Sequence, residues 1–117
     1  MKIGKYKITM QAKATIFDVA FHITKKLKNC TPMKLQKLCY YAQSWSLAWD
    51  DAPLFDQDFE AWVHGPVNPE LFNALKGLFE ITPEILEPKI SGYKFNRTQL
   101  ETINQIIKDY GKKALII

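Results

Sequence analysis

The chain has 117 residues, of which 47% are hydrophobic and 13% aromatic, and this is enough apolar material for the core of one domain. The same composition excludes the low-hydropathy class of disordered proteins. The formal net charge of +4 permits a nucleic-acid partner, whereas no apolar run reaches the roughly 18 residues that a membrane span needs. We therefore expect one cytoplasmic domain without a membrane partner.

The first half of the chain predicts an arm followed by two helices. Residues 1–14 alternate loosely between polar and apolar side chains, which suits an arm or a short edge strand. Thr15 is a candidate N-cap for an amphipathic helix that ends near Asn29. Thr31 and Pro32 start a second helix that runs to about Asp50.

The second helix is the most strongly specified element. Side chains at helical spacing predict its buried stripe, which comprises Leu35, Leu38, Ala42, Trp45 and Trp49. The opposite edge is expected to carry Lys34, Lys37 and Gln43. Of the adjacent tyrosines Tyr40 and Tyr41, at least one must lie at the margin of the core.

The second half predicts short elements separated by proline and glycine. Residues 58–63 alternate in a way that suits a short extended segment, and residues 93–95 suggest another. Asn68 caps a helix that Gly77 ends, and its buried face is expected to comprise Leu71, Phe72, Leu75 and Leu78. Thr82 caps a brief turn that continues through Leu86.

The last helix is predicted to start at a capping box of Thr98 and Glu101 and to end at Gly111. The predicted fold is therefore mainly α: a compact single-domain bundle of about four to five helices, with short extended segments near residues 58–63 and 93–95.

Few residues suit catalysis or metal binding. The two histidines and two cysteines lack zinc-site spacing, so we expect no metal and no cofactor. Cys30 and Cys39 are too few for a disulfide framework and are interpreted as reduced thiols. A Cys39–His64 pair would make a cysteine hydrolase, a remote alternative, because Cys39 flanks the core stripe where a thiol is inert. The sequence predicts that the protein is not an enzyme.

The residue types in the segment Ala61 to Pro69 favour a fixed backbone geometry and carry little chemical reactivity. Gly65 permits a turn that other side chains would oppose, and Pro66 stiffens its exit. Trp62 and His64 would then lie on a rigid corner. Two interpretations remain open: the corner caps the core, or its side chains anchor a protein partner.

Three lysines near the end of the first helix, Lys25, Lys26 and Lys28, bear on a nucleic-acid partner. Cations at a helix C-terminus interact favourably with the helix dipole and need no further partner. We find no helix-turn-helix with a basic recognition face. A nucleic-acid-binding regulator is therefore the alternative function and is not favoured.

Three stretches together are similar to a known family: Met33 to Gln43, Pro53 to Phe55, and Phe59 to Val67. In this order and at these spacings they resemble the Panacea antitoxin domain, also called the SocA-like or phage-associated domain, over roughly Thr15 to Gly111. The resemblance marks these signature residues: Lys34, Leu35, Lys37, Leu38, Tyr40, Trp62, Gly65, Pro66 and Val67. It implies a helical domain of bacteria and their phages that binds and neutralises a small toxin encoded by an adjacent gene.

The resemblance also implies domain boundaries, with residues 15–111 as the helical domain and residues 112–117 as a C-terminal tail. The family continues past the last helix into a segment with Thr-His and Pro-Trp, so the chain is interpreted as either a short member or a truncated one. Its apolar end, Ala114 to Ile117, would favour homo-oligomers.

We therefore predict an antitoxin-type protein-interaction domain that binds a cognate toxin stoichiometrically in a bacterial or prophage toxin–antitoxin system. The predicted partner-binding residues are Lys34, Lys37, Tyr40, Tyr41, Trp62, His64, Gly65, Pro66 and Val67.

Overall fold

Helices provide most of the regular structure within residues 12–113, the part of the chain that the computed structural model describes. The α-helices in this range are α1 (Ile16–Leu27), α2 (Pro32–Asp50), α3 (Pro69–Leu75), α4 (Pro83–Leu86) and α5 (Arg97–Tyr110). A 3-10 turn (Glu87–Lys89) follows α4, and the strands are β1 (Glu60–Trp62) and β2 (Gly65–Val67). The mainly α prediction is confirmed, and most of the predicted arm and of the tail lie outside the described residues.

Local signals place the first two helices where the sequence predicts them. The Thr15 hydroxyl accepts a hydrogen bond from the Asp18 amide, and the Asp18 carboxylate accepts one from the Thr15 amide, which closes a capping box. Helix α1 ends slightly earlier than predicted because Lys28 adopts a positive φ of 76° and its amide bonds to the Thr24 carbonyl. The Thr31 hydroxyl caps α2 by accepting from the Lys34 amide.

The core lies where α1, α2, α4 and α5 meet. Its fully buried side chains include Ile16 and Ile23 of α1, Leu35 and Leu38 of α2, Leu86 of α4, and Ile103 and Ile106 of α5. Two backbone hydrogen bonds between Cys30 and Ile81 join the α1–α2 connection to the segment before α4. Apolar burial along these helices supplies the main stabilisation of the fold.

Three side chains depart from their predicted burial. Trp49 packs on Trp45 at a centroid distance of 4.1 Å but is 58% exposed, because it lies at the end of α2 beside a groove that α5 lines with polar residues such as Thr98 and Glu101. Gln43 is buried because residues 54–55 cross α2 at its position. Leu78 is 41% exposed because α3 ends at Leu75, before the predicted face reaches it.

Residues 93–95, predicted as a short extended segment, lie in the irregular stretch between the 3-10 turn and α5 and pair with no strand within the described range. The predicted start of the last helix is wrong. Helix α5 is capped by Asn96, whose side chain accepts from the Gln99 amide while the Gln99 side chain accepts from the Asn96 amide. The helix therefore starts before Thr98. Thr82 is the N-cap of α4 by position, but its side chain makes no capping hydrogen bond.

Candidate protein-binding surface

The predicted corner is an antiparallel hairpin of β1 and β2. Trp62 pairs with Gly65 and Glu60 pairs with Val67, so Val63 and His64 form the turn. Gly65 has a φ of +113°, which an L side chain would adopt only with strain. Glycine is therefore required for this turn, as the sequence predicts.

The base of the hairpin is fixed to α2 by a buried amide pair. Gln36 Nε2 donates to the Asn68 carbonyl at 3.0 Å, and Gln36 Oε1 accepts from the Asn68 amide at 2.9 Å. The Asn68 side chain also caps α3 at the Leu71 amide and donates to the Asp58 carbonyl. Buried and paired polar groups of this kind hold one backbone geometry. The hairpin is thus held at a fixed position against α2.

Sequence reasoning missed the role of Gln36. Its signal was a polar residue directly beside Leu35 and only two positions before Leu38, on the buried side of a long helix. A glutamine in that position needs hydrogen-bond partners of its own. The backbone of Asn68 supplies both of them.

The tip of the hairpin exposes apolar side chains. Val63 is 94% exposed and Trp62 is 40% exposed. The Trp62 indole donates to the Glu60 carboxylate at 2.8 Å, and its ring packs in a T-shape on Phe72 at a centroid distance of 5.0 Å. A groove of about 420 Å³ lies beside it, lined by Met33, Ala61, Trp62, Val63 and His64.

The apolar surface continues from the hairpin past Phe72. Phe72, Pro32 and Leu78 line an adjoining groove of about 130 Å³. Phe79, the next residue, is 90% exposed. We call the combined surface the hairpin face, and it comprises Met33, Trp62, Val63, Phe72 and Leu78, with Phe79 following Leu78 in the sequence. Contiguous exposed apolar surface is typical of interaction sites.

Most of the other predicted hairpin residues support the shape of the hairpin and offer little surface to a partner. Val67 is buried, and Gly65 and Pro66 are partly buried. His64 is exposed at the turn beside Val63. The predicted set therefore includes Trp62 and His64 of the exposed tip but omits Val63, Leu78 and Phe79, whose exposure no sequence pattern indicated.

The predicted residues of α2 are half-buried and point to different neighbours. Lys37 Nζ lies next to Gly65, where an added Cβ would come within 3.1 Å of it. Lys34 Nζ donates to the Gly111 carbonyl at the end of α5. Tyr40 packs on Phe59 at a centroid distance of 5.1 Å, and Tyr41 packs on Tyr110 at 4.8 Å. Lys37 thus lies against the hairpin.

The cysteines do not form a reactive site. Burial raises the pKa of the Cys39 thiol well above its ordinary value, and burial raises the pKa of Cys30 to about 11. Both thiols are therefore protonated at neutral pH, and a protonated thiol is a poor nucleophile. Cys39 is fully buried, whereas His64 is exposed at the hairpin turn, so the proposed hydrolase pair is not assembled.

Among residues 12–113, no cluster of three or more His, Cys, Asp and Glu side chains is arranged to hold a metal ion. In the same range, no helix combines the length and apolar character required to cross a membrane.

Residues 35–115 match the family described as Antitoxin SocA-like, Panacea domain. Comparison with curated proteins gives no match. Comparison with solved structures gives no match either. The family match covers more than half of the chain and includes the hairpin, its Gln36 support and the whole of α5. The chain therefore belongs to the SocA-like antitoxin family that carries the Panacea domain.

Proposed function

We propose that the protein neutralises a cognate small toxin by direct, stoichiometric binding, within a bacterial or prophage toxin–antitoxin system. Membership of an antitoxin family supports this function in general terms. The proposed partner is a protein encoded by the adjacent gene. Binding alone, by covering the toxin's active site or holding the toxin inactive, is sufficient and requires no reaction by the antitoxin.

The exposed apolar tip of the hairpin is the observation that carries the proposal. Val63 is almost fully exposed, although its backbone belongs to a hairpin fixed by the Gln36–Asn68 pair. An apolar side chain on a fixed backbone binds a partner with little loss of conformational entropy. Trp62 adds a large aromatic anchor, a residue type that dominates protein interfaces.

The proposed contact surface extends from this tip in two directions. One is the apolar continuation through Phe72 to Leu78. The other is the α2 edge, where Lys37 lies beside Gly65. The same helix also carries Lys34, Tyr40 and Tyr41. Gly65, Pro66 and Val67 shape the hairpin, and His64 shares its exposed turn.

A growth-rescue assay with the neighbouring small gene tests the function. Expression of that gene alone is expected to arrest growth, and co-expression of this protein is expected to restore growth and give a stable complex on purification. A neighbour that is harmless, or that stays toxic without forming a complex, would contradict the proposed function.

Hairpin variants test the surface separately. Trp62→Ala combined with Val63→Glu is expected to abolish rescue and to raise the Kd at least about 30-fold, since an interface anchor is worth about 2 kcal/mol or more. Trp49→Ala is the matched control, because it removes an exposed tryptophan on the far end of α2. Wild-type affinity in the folded hairpin variant, or loss of affinity in Trp49→Ala alone, would show that the toxin binds elsewhere.

A further inference from the structure

A second surface lies between α1 and the irregular segment of residues 90–95, on elements that do not form the hairpin face. A groove of about 280 Å³ separates them. The lining residues that matter here are Phe21, His22, Lys25, Tyr93, Lys94 and Phe95. The groove therefore combines two cations with a group of rings.

The wall of the groove is held in place by a buried carboxylate. Asp18 of α1 accepts hydrogen bonds from the Ser91 amide at 2.7 Å and the Ser91 hydroxyl at 2.6 Å, besides its capping bond from Thr15. Gly92 then turns the chain with a φ of +88°. Asp18 is the acidic side chain of the lining, and both of its oxygens accept hydrogen bonds from these internal donors. The groove thus has a fixed wall, and its one carboxylate is outnumbered by the two lysines that line it.

Lysines surround the groove. Lys25 and Lys94 line it, Lys26 and Lys89 lie next to it in the sequence, and all four are exposed. Residues 89–97 contain three cations and no carboxylate. The acids on neighbouring elements are Glu84 and Glu87, which are exposed, and Glu101, which pairs with Arg97 at 3.3 Å. The groove itself therefore presents positive charge, which attracts phosphate groups.

Three rings form a continuous set along the groove. Tyr93 and Phe95 are in T-shaped contact at 5.6 Å, and Phe95 contacts His22 at 6.3 Å. Each ring is partly exposed. Burial lowers the pKa of His22, whose Nε2 lies 2.8 Å from the Asn104 amide oxygen, so the imidazole is neutral at neutral pH. His22 thus adds a ring and no charge.

We propose that this groove binds single-stranded nucleic acid, with Lys25 and Lys94 at the phosphates and a base stacked against Tyr93 and Phe95. Cations that follow a backbone, combined with aromatic rings that accept any base, are the features of binding without sequence preference. The proposal is independent of toxin binding, because it uses α1 and residues 90–95 and not the hairpin face.

Fluorescence anisotropy with fluorescein-labelled twelve-nucleotide oligomers of dT and of U tests the proposal on the full chain. Lys25→Glu combined with Lys94→Glu is expected to weaken binding at least about tenfold, because loss of two phosphate contacts and charge reversal act together. Lys108→Glu combined with Lys112→Glu makes the same change in net charge at two other exposed sites and is expected to change the affinity less than about threefold.

Two further measurements separate a nucleic-acid site from general attraction to anions. Tyr93→Leu keeps the charge and most of the bulk, and it is expected to weaken binding several-fold through lost stacking, which contributes about 1–3 kcal/mol per base. With two phosphate contacts, the slope of log K against log salt is expected to be about −1.4 for a single strand.

The proposal is overturned if the wild type does not bind either oligomer at low salt, or if both lysine pairs weaken binding equally. A polyglutamate peptide that binds as tightly as the oligomers, with an affinity that Tyr93→Leu does not change, would assign the groove to an acidic peptide instead. Far-UV circular dichroism of each variant checks folding, and the exposed lysine pairs decide the question even if Tyr93→Leu unfolds.

Discussion

Two buried glutamines on α2 hydrogen-bond to the backbone of the segment that crosses this helix. Gln36 bonds to the backbone of Asn68, and Gln43 accepts from the Leu54 amide and donates to the Phe55 carbonyl, both at 2.7 Å. They lie seven residues apart, which is two helical turns, so both face the same side. The two amides satisfy backbone groups that would otherwise be buried without partners, and they fix both ends of the segment that contains the hairpin.

Gln36→Met tests this contact. We expect a loss of about 2–4 kcal/mol in the free energy of unfolding, because the substitution leaves the Asn68 amide and carbonyl buried and unpaired. Urea denaturation followed by circular dichroism measures the loss. Ala48→Met places the same side chain at an exposed position of α2 and is expected to change stability by no more than about 0.5 kcal/mol. Equal stability of the two variants would contradict the structural role of Gln36.

His22 predicts a dependence of stability on pH. Burial, and to a lesser degree the nearby Lys26 and Lys25, lower its pKa in the folded state, whereas the Asn104 hydrogen bond opposes this shift. Below the ordinary histidine pKa of about 6.5, the unfolded chain therefore binds the proton more readily than the folded chain does. Stability is expected to fall as the pH drops below this value and to be unaffected by His22 above it.

Thermal unfolding of the wild type and of His22→Gln at several pH values between neutral and mildly acidic measures this effect. The carboxylates titrate in both proteins, so the difference between the two curves isolates His22. The variant is expected to lose less stability on acidification. A constant difference across the pH range would show that the histidine does not titrate as described.

At the level of the element, the start of α5 depends on the Asn96–Gln99 capping box. Asn96→Ala removes the side-chain acceptor for the Gln99 amide and is expected to cost about 1 kcal/mol of stability. Thr98→Ala, at the position that the sequence predicted as the cap, is expected to change stability by less than about 0.5 kcal/mol, because Thr98 is exposed within the helix. Urea denaturation measures the free energy of unfolding of both variants. A larger loss of stability in Thr98→Ala than in Asn96→Ala would support the helix start at Thr98 that the sequence predicts.

The hairpin is an element that could not stand alone. Its strands have three residues each, and an isolated two-stranded hairpin is at best marginally stable in water. All three residues of β1 are exposed, so the strand itself contributes little to the core. The hairpin is held in place by the hydrogen bond of Gln36 at its base, by the burial of Val67 and by the packing of Trp62 on Phe72.

At the level of the whole molecule, charge is distributed unevenly along the chain. Nine of the twelve acidic residues lie between Asp50 and Glu87, where Lys76 is the single cation among lysines and arginines. The hairpin face belongs mainly to this acidic segment, whereas the groove beside α1 is formed by the cationic stretches before and after it. The two surfaces therefore suit partners of different charge.

The sequence by itself determined the helices, most of their caps, the turn at Gly65 and the family. Helical spacing of apolar residues, the Thr15, Thr31 and Asn68 caps, and the requirement for glycine at a positive φ all act over a few residues, so local reasoning finds them. The motif from Met33 to Val67 led to the family assignment for the same reason.

The tertiary structure decided which side chains are buried and which meet across the chain. Periodicity alone could not show that Trp49 faces polar neighbours, that Gln43 is covered by residues 54–55, or that Leu78 and Phe79 remain outside the core. Periodicity also could not show that Lys25 and Lys94, which lie 69 residues apart, line one groove. Burial depends on which elements pack together, and those contacts join residues that are distant in the sequence.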